Sequence, residues 1–271
     1  MANSIENALY VVATPIGNLD DITLRAIEVL KSVDCVACED TRNTSILADK
    51  YGISTRLISY HKYSEYERCE LFLKYLKEGK SIALVSDAGT PLISDPGNIL
   101  VKEVVNNGYK AIPIGGISAP VTLLSAVSRE GEDFKFIGFL PKNKSQITEI
   151  ISKNSSENLV FYESPNRLLE TLKIINENYP EKIITVGREL TKRFEEIRTD
   201  NPSKIIEYYS NNTLKGEIVC LLHKSTQAEI DTDEKIKKLK SLEYSDKDIS
   251  VILSNLFGVS KNKIYKRSLE L

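Results

Sequence analysis

One long polar segment of this 271-residue chain combines carboxylates, hydroxyls and glycines in a way that suits ligand binding. Residues 86–97 have the sequence SDAGTPLISDPG, in which two prolines stiffen the backbone. A buried loop must satisfy all of its polar groups, and a polar ligand can satisfy them. We therefore expect this loop to bind a ligand.

A second cluster joins acidic and basic side chains directly after an apolar stretch. Glu39, Asp40 and Arg42 stand together there, and such a set can bind phosphate, position a hydroxyl or accept a proton. An ion-pair network within a loop is the alternative. The position at a strand end favours the functional interpretation.

Glycine-containing turns follow two further apolar stretches. Gly17 permits a ligand to approach the backbone closely, although a plain turn explains it equally well. Gly115 and Gly116 precede Ser118, which can cap a helix whose N-terminus would face a ligand. The chain has no G-x-G-x-x-G after the first strand and no Walker lysine pattern, which disfavours ordinary dinucleotide and P-loop folds.

Basic residues occur in two places that suit a phosphate backbone. Arg188, Lys192 and Arg193 follow a predicted strand and can contact phosphates, or they can pair with neighbouring glutamates as a solvated charge cluster. The best basic patch lies on the last predicted helix, where a solvated charged helix is the alternative. Its residues are Lys261, Lys263, Lys266 and Arg267.

The first part of the chain alternates apolar runs with helical patterns. Strands are predicted at residues 8–14, 33–38, 81–85 and 110–114, with a short one near Leu57. Helices are predicted at about 20–32, 65–78, 97–107 and 118–128, the first of them capped by Asp20 and Asp21. Such alternation indicates a parallel sheet whose ligand lies at the carboxyl ends of the strands.

Two further units follow. Strands at 134–139, 159–162, 183–186 and 218–222, with helices at 145–153 and 167–178, predict a second α/β domain. Residues 225–271 are highly charged and resemble a helix-turn-helix unit with a glycine-containing turn. We therefore predict an α/β protein with domains at 1–130 and 131–224 and a helical tail at 225–271.

Composition limits the classes of protein that remain. With 41% hydrophobic and 27% charged residues the chain is an ordinary globular protein, and its net charge of −2 lacks the positive surplus of many nucleic-acid binders. Cys35 and Cys38 fall in a predicted strand, so we expect buried thiols and no metal site. Without a membrane-length apolar run or a leader pattern, a cytoplasmic location is expected.

Several motifs in register resemble a known family. ATPIGNLDDITLRA, CEDTR, SDAGTPLISDPG, GGISA, FYESPNRL and GREL follow one another between Leu9 and His223. They resemble the small-subunit ribosomal RNA (cytidine-2′-O) methyltransferases of the tetrapyrrole methylase superfamily, and the tail resembles the family's C-terminal helical unit. The combination of SDAGTPLISDPG with EDTR and FYESP indicates the RNA enzymes rather than their porphyrin-modifying relatives.

The resemblance implies two α/β domains with S-adenosyl-L-methionine in the cleft between them, usually in a homodimer. It implies a cytidine ribose in the decoding region of small-subunit rRNA as the substrate. We expect neither DNA nor a membrane as a partner. The implied cofactor contacts, the last three from the second domain, are Ile16, Asp87, Ala88, Gly89, Thr90, Ser118, Ala119, Tyr162, Arg188 and Glu189.

For methyl transfer to a ribose hydroxyl, the proton-acceptor candidates are Glu39 and Asp40, with Arg42 holding a phosphate. Tyr60, His61 and Tyr63 are candidates for stacking on an unstacked base, with a simple surface residue as the alternative for His61. Two alternatives stay open at this point. One is a methylase of a porphyrin precursor, which the basic tail disfavours, and the other is a non-catalytic RNA-binding regulator.

Overall fold

A computed structural model describes residues 5–61, 65–212, 214–224, 232–257 and 261–271. The chain divides into two compact units, Met1–Lys224 and Ser225–Leu271. Among the helices of the described ranges, none has the length and apolar character needed to cross a bilayer.

The first sheet has five strands, all paired in parallel, which confirms the predicted parallel sheet. They are β1 (Ala8–Val12), β2 (Cys35–Cys38), β3 (Arg56–Ser59), β4 (Ile82–Val85) and β5 (Lys110–Ile114). The spatial order is β3-β2-β4-β1-β5. Because β1 lies between β4 and β5, the loops that leave these three strands emerge side by side at one edge of the sheet.

Within the described ranges, five helices accompany this sheet: α1 (Leu24–Ser32), α2 (Thr41–Tyr51), α3 (Glu65–Lys77), α4 (Asn98–Asn106) and α5 (Ala119–Ser125). The prediction that Asp20 and Asp21 cap α1 is wrong, because both lie in a separate 3-10 turn. The Thr23 hydroxyl caps α1 instead, accepting the Ala26 N–H at 3.1 Å. Helix α2 was not predicted from the sequence, and Arg42 lies in its first turn rather than in a loop.

The second sheet is mixed, with the order β6-β7-β10-β8-β9. Its strands are β6 (Lys135–Phe139), β7 (Leu159–Glu163), β8 (Ile184–Arg188), β9 (Glu196–Asp200) and β10 (Ile218–Leu222). Only β6 and β7 pair in parallel among the described strands of this sheet. The helices α6 (Lys144–Lys153), α7 (Pro165–Asn178) and α8 (Pro202–Ser210) complete the layer. Sequence patterns predicted neither β9 nor α8.

Helix α5 follows the first sheet in the chain but packs against the second. Its Leu123 and Leu124 share an apolar cluster with Val160 of β7 and Val219 of β10. Gly187 of β8 makes room for the helix, because a Cβ there would lie 2.8 Å from Leu123 Cδ1. The shared cluster joins the two sheets, and the domain boundary near residue 130 stays a prediction.

The C-terminal unit consists of α9 (Thr232–Ser241), α10 (Asp246–Phe257) and α11 (Lys261–Glu270) within the described ranges. Their small core is formed by Ile236, Ile249, Leu253 and Ile264. The predicted helix pair corresponds to α10 and α11, and α9 is a third helix beside them. Gly258 to Ser260, the predicted turn, lie outside the described residues.

Candidate functional site

A cleft of about 360 Å³ lies where the loops after β1, β4 and β5 meet β7 and β10 of the second sheet. Pockets of this order of size hold small-molecule ligands. Eight of the ten residues predicted to contact a cofactor line it: Ile16, Asp87, Ala88, Gly89, Thr90, Ser118, Ala119 and Tyr162. Arg188 and Glu189 are not among the residues that line it.

The three loops of the first sheet are bound to one another. Thr14 and Gly89 exchange two backbone hydrogen bonds, of 2.8 and 3.0 Å, and the Thr14 hydroxyl donates to the Ser86 carbonyl at 3.1 Å. Gly116 packs so closely that a Cβ there would lie 2.8 Å from the Ala13 Cβ. These contacts fix the floor of the cleft without help from a ligand.

The loop of residues 86–97 contains strained backbone. Leu92 and Ser94 both have a φ of 72°, a region that non-glycine residues seldom occupy. The loop end is held by Glu65 of α3, whose Oε1 accepts the Gly97 N–H at 3.0 Å. Surrounding structure maintains such strain most often at functional sites.

One of the three residues expected to stack on a base lies in the core instead of on a surface. Tyr60 is fully buried, packs against Phe72 and donates its hydroxyl to Glu65 at 3.1 Å. The prediction that Tyr60 stacks on RNA is therefore wrong. His61 is exposed, and Tyr63 lies outside the described residues.

The charge of the cleft has one sign. Its described lining contains the carboxylates of Asp87, Asp95, Glu163 and Glu217 and no lysine, arginine or histidine. Glu163 is compensated, since Arg167 lies 3.5 Å away and the Thr171 hydroxyl donates to Glu163 at 2.7 Å. Glu217 is also compensated, because Lys192 lies 2.9 Å from it. The carboxylates of Asp87 and Asp95 therefore make the cleft suited to a cationic ligand.

Asp87 is held at the beginning of α2. One of its oxygens accepts the Asp40 N–H at 3.1 Å, and the other accepts the Asn43 side-chain amide at 2.9 Å. Both hydrogen bonds favour a fixed carboxylate on the cleft wall. The helix that sequence patterns missed therefore positions one of the predicted cofactor contacts.

Asp95 is the lining carboxylate with the most perturbed acidity. Burial raises the pKa of its carboxyl group to about 6, with the negative charge of Glu39 as the next cause. A hydrogen bond from the Ser86 hydroxyl opposes this shift. Such a group is ionised at neutral pH and binds a proton more strongly than an ordinary carboxylate.

Tyr162 lines the cleft beside Asp95. Burial raises the pKa of the Tyr162 phenol to about 12, and the charges of Asp95 and Glu217 add to the effect. The phenol therefore keeps its proton at neutral pH and can act only as a neutral hydrogen-bonding group.

Glu39, Asp40 and Arg42 lie beside the cleft rather than in its lining. Asp40 caps α2 by accepting the Arg42 N–H at 2.8 Å, and it pairs with the Arg42 side chain at 2.6 Å. The hydrogen bonds from Arg42 lower the pKa of Asp40 to about 2. A carboxylate so occupied is a weak proton acceptor. Burial raises the pKa of Glu39, and Asp87 adds to that effect.

The basic and acidic residues at the end of β8 and just after it form ion pairs beside the cleft. Lys192 binds Glu189 and Glu217, both at 2.9 Å, and Glu189 also accepts the Glu217 N–H at 2.9 Å. Arg188 lies 3.7 Å from Glu196. The guanidinium of Arg193 lies 5.5 Å from the ring of Phe194, whose side chain is exposed. Of the predicted phosphate contacts here, Lys192 already has two carboxylate partners.

The predicted basic patch of the tail is partly compensated. Arg267 pairs with Asp233 and, at 3.0 Å, with Glu270. Lys261 and Lys266 are exposed on α11. The side chain of Lys263 lies outside the described residues.

Sequence patterns missed several residues of the cleft. Asp95 and Ser94 belong to the loop that was expected to bind a ligand, so the SDPG sequence held the available signal. Phe139 and Glu217 carried no such signal, because the cleft-facing position of each depends on the second sheet.

Comparisons with known proteins agree with this arrangement. Residues 8–205 match the family of tetrapyrrole (corrin/porphyrin) methylases. A protein of Mesorhizobium japonicum named ribosomal RNA small subunit methyltransferase I is 43% identical, over 100% of this chain and 94% of its own. A protein of the same name from Rickettsia prowazekii is 40% identical, over 96% of both chains.

The structure of cobalt precorrin-4 methyltransferase, a cobalamin biosynthetic enzyme, superposes with a TM-score of 0.62 at 16% identity, over 80% of this chain and 95% of that one. At this identity the likeness concerns the fold alone. Its full-length relatives are named ribosomal RNA small subunit methyltransferase I. Together with the family match, they show that the chain belongs to the tetrapyrrole (corrin/porphyrin) methylases.

Proposed function

We propose that this chain transfers a methyl group from S-adenosylmethionine to the ribose 2′-hydroxyl of a cytidine in the decoding region of small-subunit rRNA. The observation that carries the proposal is the cleft built from the loops after β1, β4 and β5, with carboxylates and no cationic side chain in its described lining. The names of the full-length relatives support RNA as the substrate.

The lining fits the methyl donor in charge and in polarity. Asp87 and Asp95 complement a positively charged sulfonium and ammonium, while Ile16, Leu190 and Val219 offer apolar surface to an adenine ring. The N-terminus of α5 at Ser118 and Ala119 adds backbone N–H groups. When bound, S-adenosylmethionine supplies an electrophilic methyl carbon, which leaves sulfur with the bonding electrons remaining on sulfur.

The residues of this chain have to orient the ribose oxygen and receive its proton. We assign the proton to the carboxylate of Asp95, because it lines the cleft and has a pKa of about 6. Glu39 and Asp87 surround it with negative charge, which increases its basicity. Tyr162 stays neutral beside it and is suited to positioning an oxygen by a hydrogen bond.

Recognition of RNA requires cations outside this acidic cleft. Exposed Arg193, Lys261 and Lys266, with Lys263 of the same helix, are the proposed phosphate contacts. A ribose within folded RNA must also be turned outward to enter a cleft, at a cost of roughly a few kcal/mol in base unstacking. The site therefore needs a group that stabilises the unstacked base.

A labelled-methyl transfer assay tests the proposal. Purified small ribosomal subunits and a porphyrin precursor are each incubated with the protein and labelled S-adenosylmethionine, and the RNA is digested to nucleosides for mass spectrometry. We expect label in 2′-O-methylcytidine. Label in the porphyrin precursor alone would contradict the proposal, and absence of both label and cofactor binding would favour a non-catalytic RNA-binding protein.

A further inference from the structure

Strand β6 contains an irregularity close to the cleft. Lys135 and Phe136 pair with Leu159 and Val160 of β7, but Phe139 pairs with Tyr162, so β6 has one extra residue over this interval. Side chains three residues apart point to opposite faces of a regular strand. The bulge restores Phe139 to the face that carries Phe136.

The ring contacts agree with this change of face. Phe136 and Phe139 both pack on Tyr162, with ring centroids 5.1 and 5.4 Å away. Gly138, with a φ of 68°, forms the turn within the bulge. A Cβ on Gly138 would lie 3.1 Å from the Ser94 hydroxyl, so the strained loop of the first sheet packs against this turn. Bulges beside active sites commonly redirect a side chain.

The backbone after Phe139 is anchored from α7. Arg167 donates to the Leu140 carbonyl at 3.1 and 3.2 Å and to the Pro141 carbonyl at 2.7 Å. Arg167 is itself paired with the buried carboxylate of Glu163. In the FYESPNR motif, Arg167 therefore holds the backbone that follows Phe139, and Glu163 holds Arg167. These hydrogen bonds restrain the backbone that carries Phe139, which reduces the entropy lost when a ligand binds there.

Phe139 is nevertheless open to solvent. It lines the cleft while 57% of its surface is exposed, whereas Phe136 on the same face is half-buried. A large apolar ring that the fold positions and leaves uncovered at the rim of a binding cleft indicates a ligand contact. Unstacked bases bind aromatic side chains in this manner.

We propose that the Phe139 ring is the platform on which the base of the target nucleotide stacks when its ribose enters the cleft. This inference rests on the proposed function and names the residue that stabilises the unstacked base. Continuity with the cleft favours this occupant, because a nucleotide whose sugar lies beside Asp95 has its base within reach of the rim formed by Phe139. Removing a stacking aromatic weakens binding by about 5- to 150-fold per base.

Kinetic measurements on small ribosomal subunits test the platform with three variants. Phe139→Leu removes the ring, Phe139→Tyr keeps it, and Phe134→Leu makes the same change just before β6 at a residue that does not line the cleft. We expect Phe139→Leu to lower kcat/KM for subunits by about 5- to 150-fold. Phe139→Tyr and Phe134→Leu should stay close to the native protein, and calorimetry should give the native Kd for S-adenosylmethionine in all three.

A second measurement does not depend on turnover. Cytidine 5′-monophosphate is titrated into the protein saturated with S-adenosylhomocysteine, and the base protons are followed by NMR. Stacking on an aromatic face should shift them upfield with the native protein and the Phe139→Tyr variant, but not with Phe139→Leu. Absence of this shift from the native protein would overturn the platform.

The outcomes separate the two proposals. Native protein that labels no subunits contradicts the proposed function, and the nucleotide titration then judges the platform by itself. If Phe139→Leu labels subunits as efficiently as the native protein does, the platform alone is overturned. A Phe139→Leu variant whose loss matches a loss of affinity for S-adenosylmethionine assigns the ring to the cofactor, which also overturns the inference.

Discussion

Replacing Asp95 by asparagine removes a negative charge that the fold holds in an unfavourable environment. Burial raises the pKa of this carboxyl group from its ordinary 3.8 to about 6, and Glu39, Asp87 and Glu217 add to the effect. Each pKa unit corresponds to about 1.4 kcal/mol, so the full shift corresponds to roughly 3 kcal/mol. Because the side chain is only partly buried, solvent screening reduces the expected effect to about 1–2 kcal/mol.

The sign of the effect follows from the direction of the shift. The folded protein disfavours the ionised form of Asp95. The native protein therefore becomes less stable as the pH rises from below 3.8 through about 6. The Asp95→Asn variant has no proton to lose there. We therefore expect it to be more stable than the native protein at pH 8 by about 1–2 kcal/mol, with the difference vanishing toward pH 4.

Thermal and urea denaturation at several pH values measure this difference, and the midpoint at pH 8 should rise by about 2–8 °C. Asp49→Asn, at an exposed carboxylate on α2, is the matched control and should change the midpoint at pH 8 by less than Asp95→Asn does. Methyl transfer by Asp95→Asn should fall by about 10²- to 10⁴-fold. If the difference in stability between Asp95→Asn and the native protein is the same at pH 5 and pH 8, the electrostatic argument is refuted. Full methyl-transfer activity of Asp95→Asn would refute the assignment of the proton acceptor.

Three further predictions concern packing, RNA binding and assembly. Gly187→Ala should lower the free energy of unfolding by about 1–3 kcal/mol in urea titrations, because the new methyl group meets Leu123, whereas Gly115→Ala meets nothing and should be neutral. In filter-binding titrations, Lys266→Ala should reduce the slope of log K for RNA against log salt concentration by about 1, the value of one phosphate contact. Arg267→Ala should reduce this slope by less, because Arg267 is already ion-paired with Asp233. The homodimer expected from the resemblance should appear in light scattering as twice the 30.4 kDa chain mass; a monomer would contradict it.

The location of the cleft followed from one simple property of the sequence. Alternating strands and helices predict a parallel sheet, and the carboxyl ends of its strands meet at one edge. For that reason the loops of residues 86–97 and 115–119 could be predicted from the sequence as parts of a binding site. The charge environment of Asp95 could not, because Glu39 and Glu217 approach it from the ends of separate strands.

The elements that sequence patterns missed share a physical cause. Helix α2 contains three buried residues among many polar ones, so the helical periodicity of its apolar residues is weak. Its capping residue Asp40 lies in a charged sequence that is also typical of a loop. Strand β9, EIRTD, is largely polar and forms an edge of the second sheet. Its pairing with β8 and its contacts with Tyr208 and Tyr209 through Glu196 are tertiary. Local propensity does not contain such information.

The crossing of α5 from one sheet to the other restricts how the enzyme can admit a nucleotide. Swinging the halves apart as rigid bodies would pull Leu123 and Leu124 out of their apolar contacts with Val160 and Val219 and expose them to water. Entry and exit should therefore leave the packing of α5 on the second sheet intact. Turnover in this architecture should accordingly not require the two halves to separate.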